Sequence, residues 1–340
     1  MRGIRLRRLV KGPSELTVTD LPDPKPKEDQ YLVEIHATAV NFFDLLQISG
    51  RYQFQPQLPW IAGYEFAGVI ISAPKYTPGD HKPKFRVGDR VFGASQGAYA
   101  TKIAANEDSL KPMPEGWSFS DAAGLFITAP TSFSALVLRA GIKEGDFVLI
   151  HAAAGGVGLA AVQIAKAYGA TVIATASTQH KLEIAKSFGA DYAINYINPT
   201  WPDEVRAVTP GKRGVDIVFD PVGLIEKSTK CANTNARLLV VGFAAGFIEK
   251  LPLNRVLLKN INILGLFWGA YSKDESKIVE NVWSGIFELI KSGQFKSTLF
   301  TENDLVGLEC VPAALKALEN RRTWGKIVVK IPHQEDKSKL

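Results

Sequence analysis

The sequence predicts an α/β protein: a doubly wound parallel sheet joined to a second, β-rich domain. Three observations predict it. Between residues 147 and 268 six short apolar runs follow one another: "FVLIHA", "TVIATA", "YAINY", "DIVFD", "RLLVVGF" and "INILGLFW". The early runs are separated by stretches of helical spacing that end in Gly169 and Gly189, where a left-handed C-cap costs glycine little. The first run leads straight into a glycine turn, "HAAAGGVG". Nearly continuous β-branched runs suit strands buried on both faces, hence a parallel sheet covered by helices.

Residues 1 to about 126 read differently. Short strands such as "YLVEIHATAV", "FAGVIIS" and "DRVFGA" are broken by Pro and Gly, the pattern of an irregular β-rich domain. The opening "RGIRLRRL" reads as an edge strand, with Ile4, Leu6 and Arg8 on one face and Arg5 and Arg7 on the other. "LTVTDLPDPKP" would be its hairpin partner. An Arg-rich presequence is the alternative. From about 271 the chain holds two helical stretches and a strand, "GKIVVKI", expected to return to the first domain. The expected division is therefore 1–126 with 271–340, and 127–270 for the doubly wound domain.

Composition narrows the function classes. The chain has 340 residues, 46% apolar and 22% charged, and no apolar run reaches the roughly 18–20 residues of a membrane span. The net charge of +6 is spread along the chain, and no arginine–aromatic cluster suggests nucleic-acid binding. Cys231 and Cys310 lie far apart and belong to no CxxC, which argues against a disulfide framework or a cysteine zinc site. His36, His81, His151, His180 and His333 are scattered, with no pair at ligand spacing, so no metal is expected.

The glycine turn follows a strand and opens a helix, which is the context a dinucleotide fingerprint requires. Ala153 stands where the first glycine would be. Ala154, Gly155, Gly156, Val157 and Gly158 form the expected phosphate loop. Gly155 would let backbone approach a pyrophosphate, Gly158 would let the helix pack closely on the strand, and the helix N-terminus supplies free N–H groups. A plain tight turn is the alternative. An NAD site places a carboxylate at the end of the second strand to hold the ribose 2′-hydroxyl. After "TVIATA" come Ser177, Thr178, Gln179, His180 and Lys181, and the two hydroxyls and the lysine suit a 2′-phosphate and hence NADPH. Ser177 or Thr178 can also serve as the N-cap of the next helix.

The order "NFFDLLQISGRY", "GYEFAGVI", "FRVGDRVFG", "AAGLFITAPTSFSAL", "AAAGGVG", "VDIVFDPVG" and "VVGFAAG" resembles the medium-chain dehydrogenase/reductase superfamily. Within it, the chain is similar to the zinc-free NADPH:quinone oxidoreductases of the zeta-crystallin type. The resemblance spans Met1 to about Ile331. It implies a GroES-like catalytic domain, a Rossmann domain and NADPH between them. The zinc alcohol dehydrogenases of the superfamily carry Gly-His-Glu where this chain has Gly63-Tyr64-Glu65, and their first cysteine ligand falls close to Asn41. Without a Lewis acid, oxidising an alcohol is hard, whereas a quinone or α,β-unsaturated carbonyl accepts hydride and spreads the charge onto oxygen.

Residue roles implied by the resemblance follow. Asn41 and Asp44 line the nicotinamide site, Tyr52 faces the substrate as hydrogen-bond or proton donor, and Tyr64 occupies the former ligand position. Thr131 lies near the carboxamide. Ser177, Lys181, Tyr196 and Arg321 meet the 2′-phosphate, and Gly242, Phe243 and Phe267 pass close to the cofactor. Plainer alternatives stand beside these: Asn41 caps a turn, Asp44 caps a short helix, Tyr52 and Tyr64 pack. Leu46 replaces an aromatic of the bacterial quinone reductases, which predicts a more apolar pocket. The aromatic run "LFWGAY" fits core or subunit interface, and the resemblance implies a homodimer paired through the edge strand.

The chain ends Ser338-Lys339-Leu340, the form of a peroxisomal signal read by an import receptor. With it comes a competing expectation, reduction of trans-2-enoyl-CoA thioesters. A third is a non-catalytic, crystallin-like or RNA-binding role.

Overall fold

The structure, a computed structural model, describes residues 1–75 and 82–333, with backbone alone at 272–274. His81 and the terminal Ser-Lys-Leu lie outside the described residues.

Along the chain come β1 (Gln30–Ala39), α1 (Phe42–Ile48), β2 (Glu65–Ser72), β3 (Arg90–Ala94), β4 (Lys102–Asn106), β5 (Leu110–Pro112), α2 (Phe119–Ala123) and α3 (Leu125–Phe133). There follow β6 (Phe147–Ile150), α4 (Gly156–Ala167), β7 (Thr171–Ala176), α5 (Gln179–Ser187), β8 (Tyr192–Asn195), α6 (Trp201–Ala207), β9 (Val215–Asp220), α7 (Ile225–Ser228) and β10 (Ala232–Val240). The chain closes with α8 (Leu253–Lys259), β11 (Asn262–Gly265), α9 (Trp268–Asp274), α10 (Ser276–Lys291), α11 (Val311–Glu319) and β12 (Val328–Lys330).

Two compact units result: Met1–Ile127 with Ser297–Leu340, and Thr128–Lys296. The second boundary thus corrects the expected 270/271. α10 belongs with the second unit, because its Gly285 lies so close to the Phe133 ring that a Cβ there would come within 2.5 Å.

In the first unit the main sheet runs β12-β1-β2-β3-β5, with β4 also paired to β1. β1 alternates as a half-buried strand should: Tyr31, Val33, Ile35 and Ala37 face a dry core, and Glu34 and His36 the other side. β12 closes the sheet antiparallel to β1, Val328 opposite Ala39 and Lys330 opposite Ala37. The opening segment is two separate pairings rather than one hairpin. Arg2–Gly3 pairs with Thr19–Asp20, and Arg5–Leu6 with Trp60–Ile61. Ile4 and Leu6 are buried as expected, whereas Arg8 is exposed and ion-paired with Glu15.

In the second unit the order is β8-β7-β6-β9-β10-β11, parallel throughout. Each of the six apolar runs is one of these strands. The order reverses between β6 and β9, the switch point at which such sheets bind ligands beyond their carboxyl ends. Gly169 and Gly189 follow α4 and α5 at φ 75° and 112°, conformations other residues resist.

Candidate functional site

In the second unit, the predicted cofactor residues converge because parallel strands present their carboxyl ends on one edge. β6 delivers the chain into the turn at His151–Gly155. Ala152, not a glycine, takes the left-handed conformation (φ 47°), and Gly155 donates its N–H to the Ala152 carbonyl at 2.8 Å. α4 starts at Gly156 with no side-chain cap on its first N–H groups, so they remain available to an anion. A Cβ on Gly158 would meet the Ala152 oxygen at 2.4 Å and the Ala153 Cα at 2.7 Å, so the close helix–strand approach tolerates only hydrogen. The Ser132 hydroxyl donates to the Val157 carbonyl at 2.7 Å, and Ala154 is buried under the turn.

Beneath the turn lies His151, a residue given no role by the sequence. It is fully buried, with Nδ1 and Nε2 each 2.8 Å from a hydroxyl, those of Thr175 and Ser228. The Ser228 hydroxyl donates to the Leu224 carbonyl at 2.7 Å, so the network assigns the ring proton to Nε2 and makes Nδ1 an acceptor. Burial lowers its pKa and keeps it neutral. It ties β6, β7 and α7 together at the glycine turn.

At the end of β7, Thr178 is the N-cap of α5: its hydroxyl accepts from the Lys181 N–H at 3.3 Å. Ser177 and Lys181 are half-buried beside it. β7 and β8 are in register to Ala176–Asn195, and Tyr196 N–H bonds the Ala176 carbonyl at 3.2 Å, which brings Tyr196 next to Ser177. No carboxylate occurs from Ala176 to Lys181. Gly242 and Phe243 follow β10, and Phe267 follows β11, so these too sit at the carboxyl edge, both rings over 40% exposed. Thr131 is half-buried in α3. Arg321 falls in the first unit, exposed and left-handed (φ 55°) just after α11.

In the first unit, α1 and the chain after it hold the predicted catalytic residues. Asn41 is the N-cap of α1 and Asp44 its third residue. The Asp44 carboxylate accepts the Asn41 N–H at 2.8 Å and the Tyr99 hydroxyl at 2.5 Å. Asp44 is buried, and its other oxygen has no hydrogen-bond partner among the described residues. Burial pushes this carboxyl up to about 7, against the lowering influence of Tyr99. Asn41 has both polar side-chain atoms engaged: Nδ2 donates to Glu65 at 2.9 Å and Oδ1 accepts from Lys326 at 2.7 Å. Lys326 also donates to Glu65 at 2.7 Å and to the Val40 carbonyl at 3.2 Å, and the second Glu65 oxygen accepts the Ile127 N–H at 2.7 Å. Both ions are buried, and every donor and acceptor is met.

The sequence reading missed this network and Tyr99. Its one local signal is a charge inside an apolar run, Glu65 in "GYEFAGVI" and Lys326 in "GKIVVKI". Beside the network, Tyr52 stacks on Phe43 with ring centres 5.4 Å apart, Tyr64 meets the same ring edge-on at 5.7 Å, and Phe54 meets Tyr52 at 6.3 Å. Burial raises the pKa of both phenols, so at neutral pH they are hydrogen-bond donors.

A GroES-like unit and a Rossmann sheet whose first strand runs through a glycine turn into a helix define the medium-chain dehydrogenase/reductase class. The alcohol dehydrogenase GroES-like domain profile matches residues 27–117, and the zinc-binding dehydrogenase profile matches 156–284. "Quinone oxidoreductase-like protein 2" of Mus musculus is 32% identical over 321 residues, 93% of this chain and 89% of that protein. "Quinone oxidoreductase" of Homo sapiens is 34% identical over 283 residues, 80% and 84% respectively. The crystal structure of Escherichia coli quinone oxidoreductase complexed with NADPH superposes with a TM-score of 0.85 at 29% identity, covering 97% of this chain and all of that one. The chain belongs to the quinone oxidoreductase family and is an oxidoreductase of that type.

The zinc that one profile's name implies does not fit here. At the positions assigned to the catalytic metal stand the Tyr64 phenol and the fully engaged Asn41 amide, where imidazole and thiolate would be needed.

Proposed function

We propose that the protein uses NADPH to reduce a quinone or an α,β-unsaturated carbonyl without a catalytic metal. The observation that carries the cofactor choice is the end of β7, where Ser177 stands next to Tyr196, Lys181 follows in the first turn of α5, and no carboxylate occurs from Ala176 to Lys181 to hold a ribose 2′-hydroxyl. When bound, NADPH supplies the hydride. The N–H groups opening α4 hold the pyrophosphate, and Lys181 offers a point charge to the 2′-phosphate. In the first unit the Phe43–Tyr52–Tyr64 rings give a flat acceptor an aromatic wall. The Tyr52 phenol, protonated at neutral pH, donates a hydrogen bond to the acceptor oxygen as negative charge builds there.

The test follows NADPH oxidation at 340 nm with 1,2-naphthoquinone, a simple enone and a trans-2-enoyl-CoA in parallel. Fast turnover of quinone or enone with an idle thioester is the expected result. Thioester turnover alone would replace this reading by an enoyl-thioester reductase.

We further propose a homodimer joined through β11. It is the edge strand of the parallel sheet. Ile263 on it and Leu253, Leu257 and Leu258 on α8 are exposed, the last three by 75% or more. An unpaired strand edge beside such an apolar surface is a pairing surface.

A further inference from the structure

We propose that Glu34, His36 and His333 form a divalent transition-metal site, best suited to Zn²⁺, on the first unit. None of the three lies at the Asn41 or Tyr64 positions. Strand pairing builds the cluster. Glu34 and His36 share one face of β1, and the ladder with β12 continues past Lys330, Ile331 N–H bonding the His36 carbonyl at 2.8 Å. Continuing that register puts His333 opposite Glu34. One ligand atom from each residue lies within 4.8 Å of the others.

The hydrogen bonds point to a cation. His333 Nε2 lies 2.8 Å from the Ile35 carbonyl, which can only accept, so Nε2 carries a proton and Nδ1 is left to face Glu34. That is how a ligating imidazole is usually oriented, its second nitrogen tied to a carbonyl. Nδ1 stands 3.4 Å from one Glu34 oxygen, and His36 Nε2 stands 3.7 Å from the other. These separations are long for charge-assisted hydrogen bonds. The first is close to the ~3.3 Å between neighbouring ligands of a tetrahedral zinc, as its bond lengths require.

The His36 ring is held by stacking on Phe119, 4.5 Å between centres, and the two imidazole centres are 4.3 Å apart. All three side chains are between 18% and 33% exposed, so an ion has an entry path and a position open to water. Two imidazoles and one carboxylate suit zinc and its neighbours rather than magnesium or calcium. Such an ion would pin the chain at residue 333 to β1.

The test is titration of the chelator-treated full-length protein with Zn²⁺ by calorimetry, and with Co²⁺ by visible absorption. One ion per chain is expected, with the d–d bands of a four-coordinate site of two nitrogens, one carboxylate oxygen and one water, and a raised melting temperature. His36→Ala and His333→Ala should each weaken binding by at least about tenfold, as loss of a ligand or its orienter does. His36→Gln and His333→Gln keep a polar side chain and serve if an alanine variant misfolds. Absence of stoichiometric binding, or affinity unchanged in the double variant, overturns the proposal and leaves an imidazolium–carboxylate cluster.

Discussion

At the scale of single residues, two lysines do different work. Lys181 opens α5 beside Ser177, partly exposed, where its charge can serve a phosphate. Lys181→Ala is therefore expected to raise KM for NADPH by roughly tenfold or more, the worth of a charge-assisted bond of about 1.5–3 kcal/mol, and to leave NADH kinetics nearly unchanged. Equal losses with both cofactors would remove Lys181 from the 2′-phosphate site. Lys326 is buried and meets Glu65, Asn41 and a carbonyl. Its replacement by Met strands the buried Glu65 charge, which should cost about 3–5 kcal/mol in urea unfolding. Glu65→Gln combined with Lys326→Met should recover part of that loss, because no charge is left without a partner. Tyr52→Phe should lower turnover about 10²-fold or more if the phenol is the acid, with little change in KM for NADPH.

At the scale of elements, α1 and α4 carry the consequences. Gly158 lies where α4 crosses the turn, and a methyl there collides with backbone rather than with a movable side chain. Gly158→Ala should abolish NADPH-dependent fluorescence changes and lower the melting temperature by several degrees, consistent with ~1–3 kcal/mol for overpacking. Asp44 makes α1 sensitive to pH. Its carboxyl titrates near 3.8 when unfolded and at about 7 in the fold, so between those values the folded state holds a proton that the unfolded state has lost. The stabilising contribution is therefore complete below about 4 and disappears as pH rises through 7. Asp44→Asn should remove this dependence, its melting temperature gaining on the wild type from pH 5 to 8. A constant difference across that range would show that Asp44 is ionised throughout.

The helical punctuation was legible for local reasons. Gly169 and Gly189 end α4 and α5 because only glycine takes their backbone angles cheaply, and Thr178 caps α5 as a threonine before a helical run should. Asn41 was less legible. The sequence offers it as cap or as site residue, and only the arrival of Lys326, 285 residues away, commits its amide. The helix at 276–291 lies in the second unit and not, as its place in the chain predicts, in the first, since nothing in its own pattern reveals that Phe133 packs on Gly285.

At the scale of the molecule, the open edge of the second sheet sets the expected assembly. Leu257→Glu with Leu258→Glu should shift the protein from dimer to monomer in sedimentation velocity, because charge on that surface cannot be buried without large cost. A dimer that survives both changes would mean that β11 is not its interface.

The sequence alone determined the parallel sheet, its six strands, the glycine turn that opens α4 and the missing carboxylate after β7. These follow from periodicity, turn chemistry and residue identity within a few positions of one another. Tertiary structure alone decided the buried Glu65–Lys326 pair, whose members are 261 residues apart, the Tyr99–Asp44 bond, and the meeting of His36 with His333 that sequence spacing argued against. A charge or an imidazole has no periodicity to betray its partner. It finds that partner only when β12 pairs with β1 and the low-dielectric interior forces each buried polar group to be matched.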